Sequence, residues 1–141
     1  MSSRRNGRII AFQTIFGLEF NSLSSDELLD MEWIDDEYRS KFDSVTMDFS
    51  KLLVKGTLEN MEKIDSAIKE NLVHWDFSRL SKVELAILRI SVYSLLFQRN
   101  IPAGITINEA VDIAKEFGSD QSYKFINGVL DGIKKKINDN A

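Results

Sequence analysis

Three arginines stand within the first eight residues, at positions 4, 5 and 8, and no acid precedes Glu19. If a helix reaches back this far, Arg4 and Arg8 share one of its faces. Guanidinium forks suit bidentate contact with phosphate and stacking on unpaired bases, the usual way single-stranded RNA is gripped. Three such contacts, at about 0.7 counterions released per phosphate, give modest and salt-sensitive affinity. A second surface or a partner protein is therefore expected to supply the rest. Lys124 and Phe125 offer such a surface, since an exposed ring beside a lysine can stack on a base. Packing of Phe125 against the N-terminal helix is the competing reading, and Tyr123 is expected in the core. The plain alternative for the arginines is a solvated, frayed terminus.

Other chemistry finds little material. The chain has no cysteine, which excludes disulfides, thiolate metal sites and a cysteine nucleophile. One histidine, His74, leaves no second imidazole for a multi-histidine site, and beside Trp75 it reads as a helix-end packing feature. Glu109, Asp112 and Glu116 fall on one helix face and could meet a hard cation, but a solvated acidic stripe is the default. No catalytic residue, metal ligand or cofactor is assigned, and binding is expected rather than catalysis. No apolar run approaches a membrane span, and the polar start lacks a signal peptide's apolar segment, so a soluble, cytoplasmic domain without a membrane partner is expected.

The elements that must position these groups read as helices nearly throughout. At 141 residues, with 43% hydrophobic and 28% charged side chains, the chain fits one domain, 1–141, with its own core. There is one proline, Pro102, and apolar positions recur every three or four residues. Stripes run through Ile9, Phe12, Phe16 and Phe20; Phe42, Val45, Phe49 and Leu52; and Met61, Ile64, Ile68 and Leu72, with Gly56 between the last two as a bend or close contact. Leu80 to Phe97 is apolar on both sides and predicts a helix buried nearly all round. Thr106 and Glu109 have capping-box spacing ahead of Ile107, Ala110, Val111, Ala114 and Phe117, and Gly118 ends that helix. Ser119 or Asp120 is expected to cap the last helix, which carries Tyr123, Ile126, Leu130, Ile133 and Ile137. Its Gly128 and Gly132 suggest a close helix approach. Charge is divided: residues 19–48 hold ten acids against Arg39 and Lys41, although the whole chain is only -4. About 21–36 reads as a short helix plus a mobile acidic loop, and residues 1–8 as a basic arm able to order on binding. The fold class is all-α, about seven helices packed as bundles.

The later blocks resemble a known family. Ala86-Ile87-Leu88-Arg89-Ile90, Ile101-Pro102, Ile107-Asn108-Glu109-Ala110-Val111, Ala114-Lys115-Glu116-Phe117-Gly118 and Lys124-Phe125-Ile126-Asn127-Gly128-Val129-Leu130-Asp131 are similar to the C-terminal half of the NusB family of transcription antitermination factors. The arginine-rich start and Ala11-Phe12-Gln13 with Phe16 extend the resemblance over nearly the whole chain. It implies two helical subdomains and binding of boxA RNA together with the ribosomal small-subunit protein NusE. It also implies a place in RNA polymerase antitermination complexes, notably in ribosomal RNA synthesis. Arg4, Arg5 and Arg8 would match the RNA motif, Lys124 and Phe125 an adjoining RNA surface, and Phe16 and Glu84 the NusE-facing side. Asn6 and Gly7 interrupt the arginine run, which implies weaker binding or a more mobile motif. Ser78 and Arg79 stand where some relatives carry acids.

Beside the resemblance, Arg89 lies inside the apolar helix, where an unpaired guanidinium is costly. It is expected to pair with Glu109 or helix-end carbonyls, with Asn108 or Asn127 completing a structural network. Ser81 and Glu84 have capping-box spacing, so Glu84 could serve only its own helix start. The leading expectation is an RNA-binding adaptor. The alternatives are a detached recognition module related to the N-terminal domain of RNA cytosine methyltransferases, and a homodimer whose RNA surface is covered. The methyltransferase reading lacks a cofactor-binding α/β unit after residue 141.

Overall fold

The computed structural model describes residues 3–18, 31, 34–72 and 76–139. Seven α-helices lie among them: α1 (Ser3–Gly17), α2 (Asp36–Arg39), α3 (Ser44–Glu59), α4 (Met61–Glu70), α5 (Lys82–Phe97), α6 (Ala103–Phe117) and α7 (Ser122–Asp139). A 3₁₀ turn, Phe77–Arg79, leads into α5. The helices form two subdomains, α1–α4 and α5–α7, which meet along α5.

Short polar side chains set the helix starts. The Asp35 carboxylate accepts the Tyr38 N–H at 2.7 Å, and Asp43 accepts that of Thr46 at 2.8 Å, each satisfying an amide that the first turn leaves without a partner. At α5 the Ser81 Oγ accepts the Glu84 N–H at 3.0 Å while Glu84 Oε1 accepts the Ser81 N–H at 3.1 Å. This is the reciprocal cap its spacing predicts. Asn60 closes α3 by donating its side-chain amide to the Gly56 carbonyl at 2.8 Å. The Gly118 N–H closes α6 on the Ala114 carbonyl. Helix α5 is the hub: Leu85 to Leu95 are all buried, and every other long helix packs against it. A helix apolar all round can be stable in water only inside such a ring of neighbours.

Several expectations change here. The break in the first half falls at Asn60, whereas Gly56, inside α3, is the close contact of its two expected roles, since a Cβ there would overlap the Tyr93 ring of α5. The buried face of α3 is Thr46, Met47, Ser50, Leu53, Val54 and Thr57, leaving Val45 and Leu52 exposed. The cause is the close approach of α1: a Cβ on Gly7 would stand 2.8 Å from Phe49 Cδ2 and 3.2 Å from the Thr46 carbonyl. Only small side chains fit that seam. Gly7 thus sits where α1 meets α3, and residues 3–8 of the expected arm form the first turns of α1.

Helix α6 starts at Ala103 behind Pro102, which puts Thr106 in its interior, buried and with its hydroxyl unpartnered. No Thr106–Glu109 capping box forms. Helix α7 begins at Ser122, whose Oγ accepts the Ser119 N–H at 3.1 Å. Gly128 faces open space, so it serves no close approach; Gly132 does, against Asn71. Arg89 pairs not with Glu109 but with Asp65 of α4, Nε to Oδ1 at 3.0 Å and Nη2 to Oδ2 at 2.9 Å. Asn108 and Asn127 are exposed and take no part. Of the acidic stretch, Met31 and Ile34 are buried, and Met31's carbonyl accepts from Arg39. The rest of 21–33, Phe20, His74 and Trp75 lie outside the described residues.

Candidate nucleic-acid interface

Helix α1 carries both ends of the candidate site. At its start the three arginines meet three surroundings. Arg4 is exposed, with its guanidinium 5.6 Å from the centre of the Phe49 ring. Arg8, one turn on, lies 5.3 Å from the same ring but is only 6% exposed, and its Nη2 has no hydrogen-bond partner. Both therefore share a face, as the spacing predicts, yet Arg8 is turned inward rather than presented to a ligand. Burial lowers its affinity for its proton from the ordinary arginine value, opposed by the nearby Glu109 charge. The aromatic face offers a weakly hydrated guanidinium partial compensation.

Arg5 is held by carboxylates. Its Nε donates to Glu109 Oε2 at 2.8 Å and its Nη2 to Asp112 Oδ2 at 2.7 Å. These hydrogen bonds, Glu109's first, raise its pKa above the ordinary value. The acidic face of α6 is therefore not merely solvated: two of its carboxylates grip α1. No group of three His, Cys, Asp or Glu arranged for a metal ion occurs among the described residues.

Two turns further along both helices, Phe12 meets Phe117 at a centroid distance of 5.3 Å, so α1 and α6 run in the same direction. There Phe12, Gln13, Phe16, Val83 and Phe117 line an apolar hollow, and the Oε1 of Gln13 is buried without a hydrogen-bond partner. The next hollow is lined by Leu80, Glu84, Ser119, Gln121 and Phe125. Val83 of the first hollow and Glu84 of the second are sequence neighbours near the start of α5, and Glu84 and Phe125 line the second hollow together. Phe125 is half-buried there, packed against the core. Glu84 keeps its cap while its flank stays accessible. Lys124 is exposed on α7, and its ammonium lies 5.9 Å from the Tyr123 ring centre. Lys115 of α6 approaches the same ring at 5.0 Å.

Helix α1 thus carries Arg4 and Arg5 at one end and Phe16 at the other, while Glu84 and Phe125 share the second hollow. The sequence reading missed Phe49, Lys115 and Asp112 as a working partner. Its spacing assigns Phe49 only to a core stripe, and the proximity of Arg4 and Arg8 to it depends on the α1–α3 packing. Among the described residues no helix is long and apolar enough to cross a membrane.

Fold and surface together define an all-α protein whose first helix starts with a cationic cluster. Residues 5–135 match the NusB family. The transcription antitermination protein NusB of Treponema pallidum (strain Nichols) is 47% identical over 134 residues, 94% of this chain and 92% of that protein. The solved structure of T. maritima NusB superposes with a TM-score of 0.83 at 36% identity, covering 94% of this chain and 91% of the other. A crystal structure described as antitermination factors NusB and NusE in complex with dsRNA superposes at 0.80 with 27% identity, covering 96% and 98%. This chain belongs to the NusB family, a family of transcription antitermination proteins.

Proposed function

We propose that this protein is a cytoplasmic antitermination factor that binds boxA-type single-stranded RNA jointly with the ribosomal protein NusE and supports ribosomal RNA transcription by RNA polymerase. Arg4 and Arg5 meet the phosphates, Lys124 and Phe125 extend the RNA surface, and Phe16 with Glu84 receive NusE. Arg8 contributes from beneath, as the second cation on Phe49.

The observation that carries this reading is the placement of an exposed cation, Arg4, and an apolar hollow containing Phe16 at opposite ends of one helix. A ligand at either end is thereby linked to the other through a rigid element. The coverage of the relatives over nearly their full length favours antitermination over a detached methyltransferase module. Electrophoretic mobility shifts with a boxA RNA, with and without NusE, test the proposal. Weak binding by the chain alone, strengthened by NusE, is expected; equal, negligible binding in both lanes overturns it. A double-stranded competitor decides the strand preference, since the description of the NusB–NusE relative names double-stranded RNA.

A further inference from the structure

Arg5's surroundings differ from those of its neighbours in a way that bears on ligand capture. Its Nε and Nη2 reach Glu109 at 2.8 and 3.3 Å, and its Nη2 also reaches Asp112 at 2.7 Å. Glu109 and Asp112 are three residues apart on α6, so a single turn presents both to one guanidinium. The Nε–Nη2 edge, one of the two that can fork onto a phosphate, is already occupied by carboxylate oxygens. A phosphate arriving there also meets two like charges. The cluster is open to water on its Asp112 side: the Arg5 side chain is 36% exposed and Asp112 47%, while Glu109 is 17% exposed. The exposed Arg5–Asp112 pair is weak enough for a polyanion to contest it, and the more covered Glu109 contact is the stronger competitor.

We propose that Glu109 and Asp112 act as an intramolecular competitor for Arg5, and so set the affinity and salt dependence of the α1 interface. This inference rests on the RNA reading above and goes beyond it, by giving α6 a part in ligand discrimination. Arg4, exposed at the helix start, engages a strand first. Arg5 offers its Nε–Nη2 edge to the strand only when phosphate displaces both carboxylates. An isolated anion does this poorly, whereas a strand already held at Arg4 delivers its next phosphate at high local concentration.

The test is fluorescence anisotropy with a single-stranded boxA-type oligonucleotide across a salt series, using the full chain. Glu109→Gln combined with Asp112→Asn should bind about two- to fivefold more tightly than wild type at low salt. Its log–log salt slope should steepen by about 0.7, the contribution of one added phosphate contact. Arg5→Ala should abolish that gain, and should cost more affinity in the acid-neutral background than in the wild type.

A gain that survives Arg5→Ala overturns the proposal, because it would reflect bulk charge alone. Unchanged or weaker binding by an acid-neutral variant that melts like wild type also overturns it. Glu109 additionally supports the buried Arg8, so if the double variant melts lower, Asp112→Asn alone decides by the same readouts. Wild-type binding that is absent, or insensitive to Arg4→Ala, overturns the RNA reading itself. That result is distinct from an Arg4-dependent wild type whose acid-neutral variants behave identically to it.

Discussion

A guanidinium inside an apolar helix must find an anion, and at Arg89 the anion comes from the other subdomain. Both partners are largely buried, with side chains 10% and 18% exposed. Asp65→Ala is expected to cost about 3–5 kcal/mol in urea unfolding, because it strands the charge. Arg89→Met with Asp65→Leu should cost clearly less, since apolar replacement of a buried pair is often close to neutral. A double variant as damaged as the single one would mean that the charges themselves hold the subdomains together. Arg8 presents the opposite case, a buried guanidinium with Nη2 unpartnered. Arg8→Met keeps a long, flexible contact with Phe49 and removes the buried, unpartnered Nη2. Its thermal midpoint should equal or exceed that of wild type.

At the scale of elements, glycine and capping residues distinguish seams from surfaces. Gly56→Ala drives a methyl group into the Tyr93 ring and should destabilise by about 1–3 kcal/mol, as overpacking in a tight core does. Gly128→Ala meets nothing and should stabilise α7 by about 0.5–1 kcal/mol, through helix propensity alone. Opposite signs in the same denaturation series check both assignments. Asp43 adds a pH dependence to α3. The Thr46 N–H holds its carboxyl below the ordinary range, so its contribution is fully present above the unfolded-state pKa. It is lost as pH falls through the lowered folded-state value. Asp43→Asn retains a capping oxygen without that titration, so its thermal midpoint should fall less than wild type's on acidification.

For the whole molecule, the charge distribution matters more than its sum. A net charge of -4 opposes a polyanion at long range, while the start of α1 attracts it locally. Arg4→Ala should flatten the log–log salt slope of RNA binding by about 0.7, with no change in melting, since its side chain is exposed. An unchanged slope would remove Arg4 from the interface. With Arg8 buried and Arg5 held by α6, the cluster falls short of the three free phosphate contacts that composition suggests.

Much of the molecule is legible in the chain itself. Periodicity marks α5 as the hub, because a helix apolar on every side has only one stable environment. The Ser81–Glu84 cap and the Gly118 stop are local, formed within a turn, and the spacing alone specifies them. The arginine cluster and the Phe16, Glu84 and Phe125 positions are likewise visible as residues. What only the tertiary structure decides is which of them meet. Asp65 rather than Glu109 answers Arg89, Thr46 and Ser50 rather than Val45 and Leu52 face inward, and Arg5 is bound to α6 while Arg4 is not. The reason is that these contacts join residues 24 to 107 positions apart or depend on how closely two backbones approach. Helical spacing carries no information about the neighbouring helix, so the rigid packing of α1, α3 and α6 has to supply it.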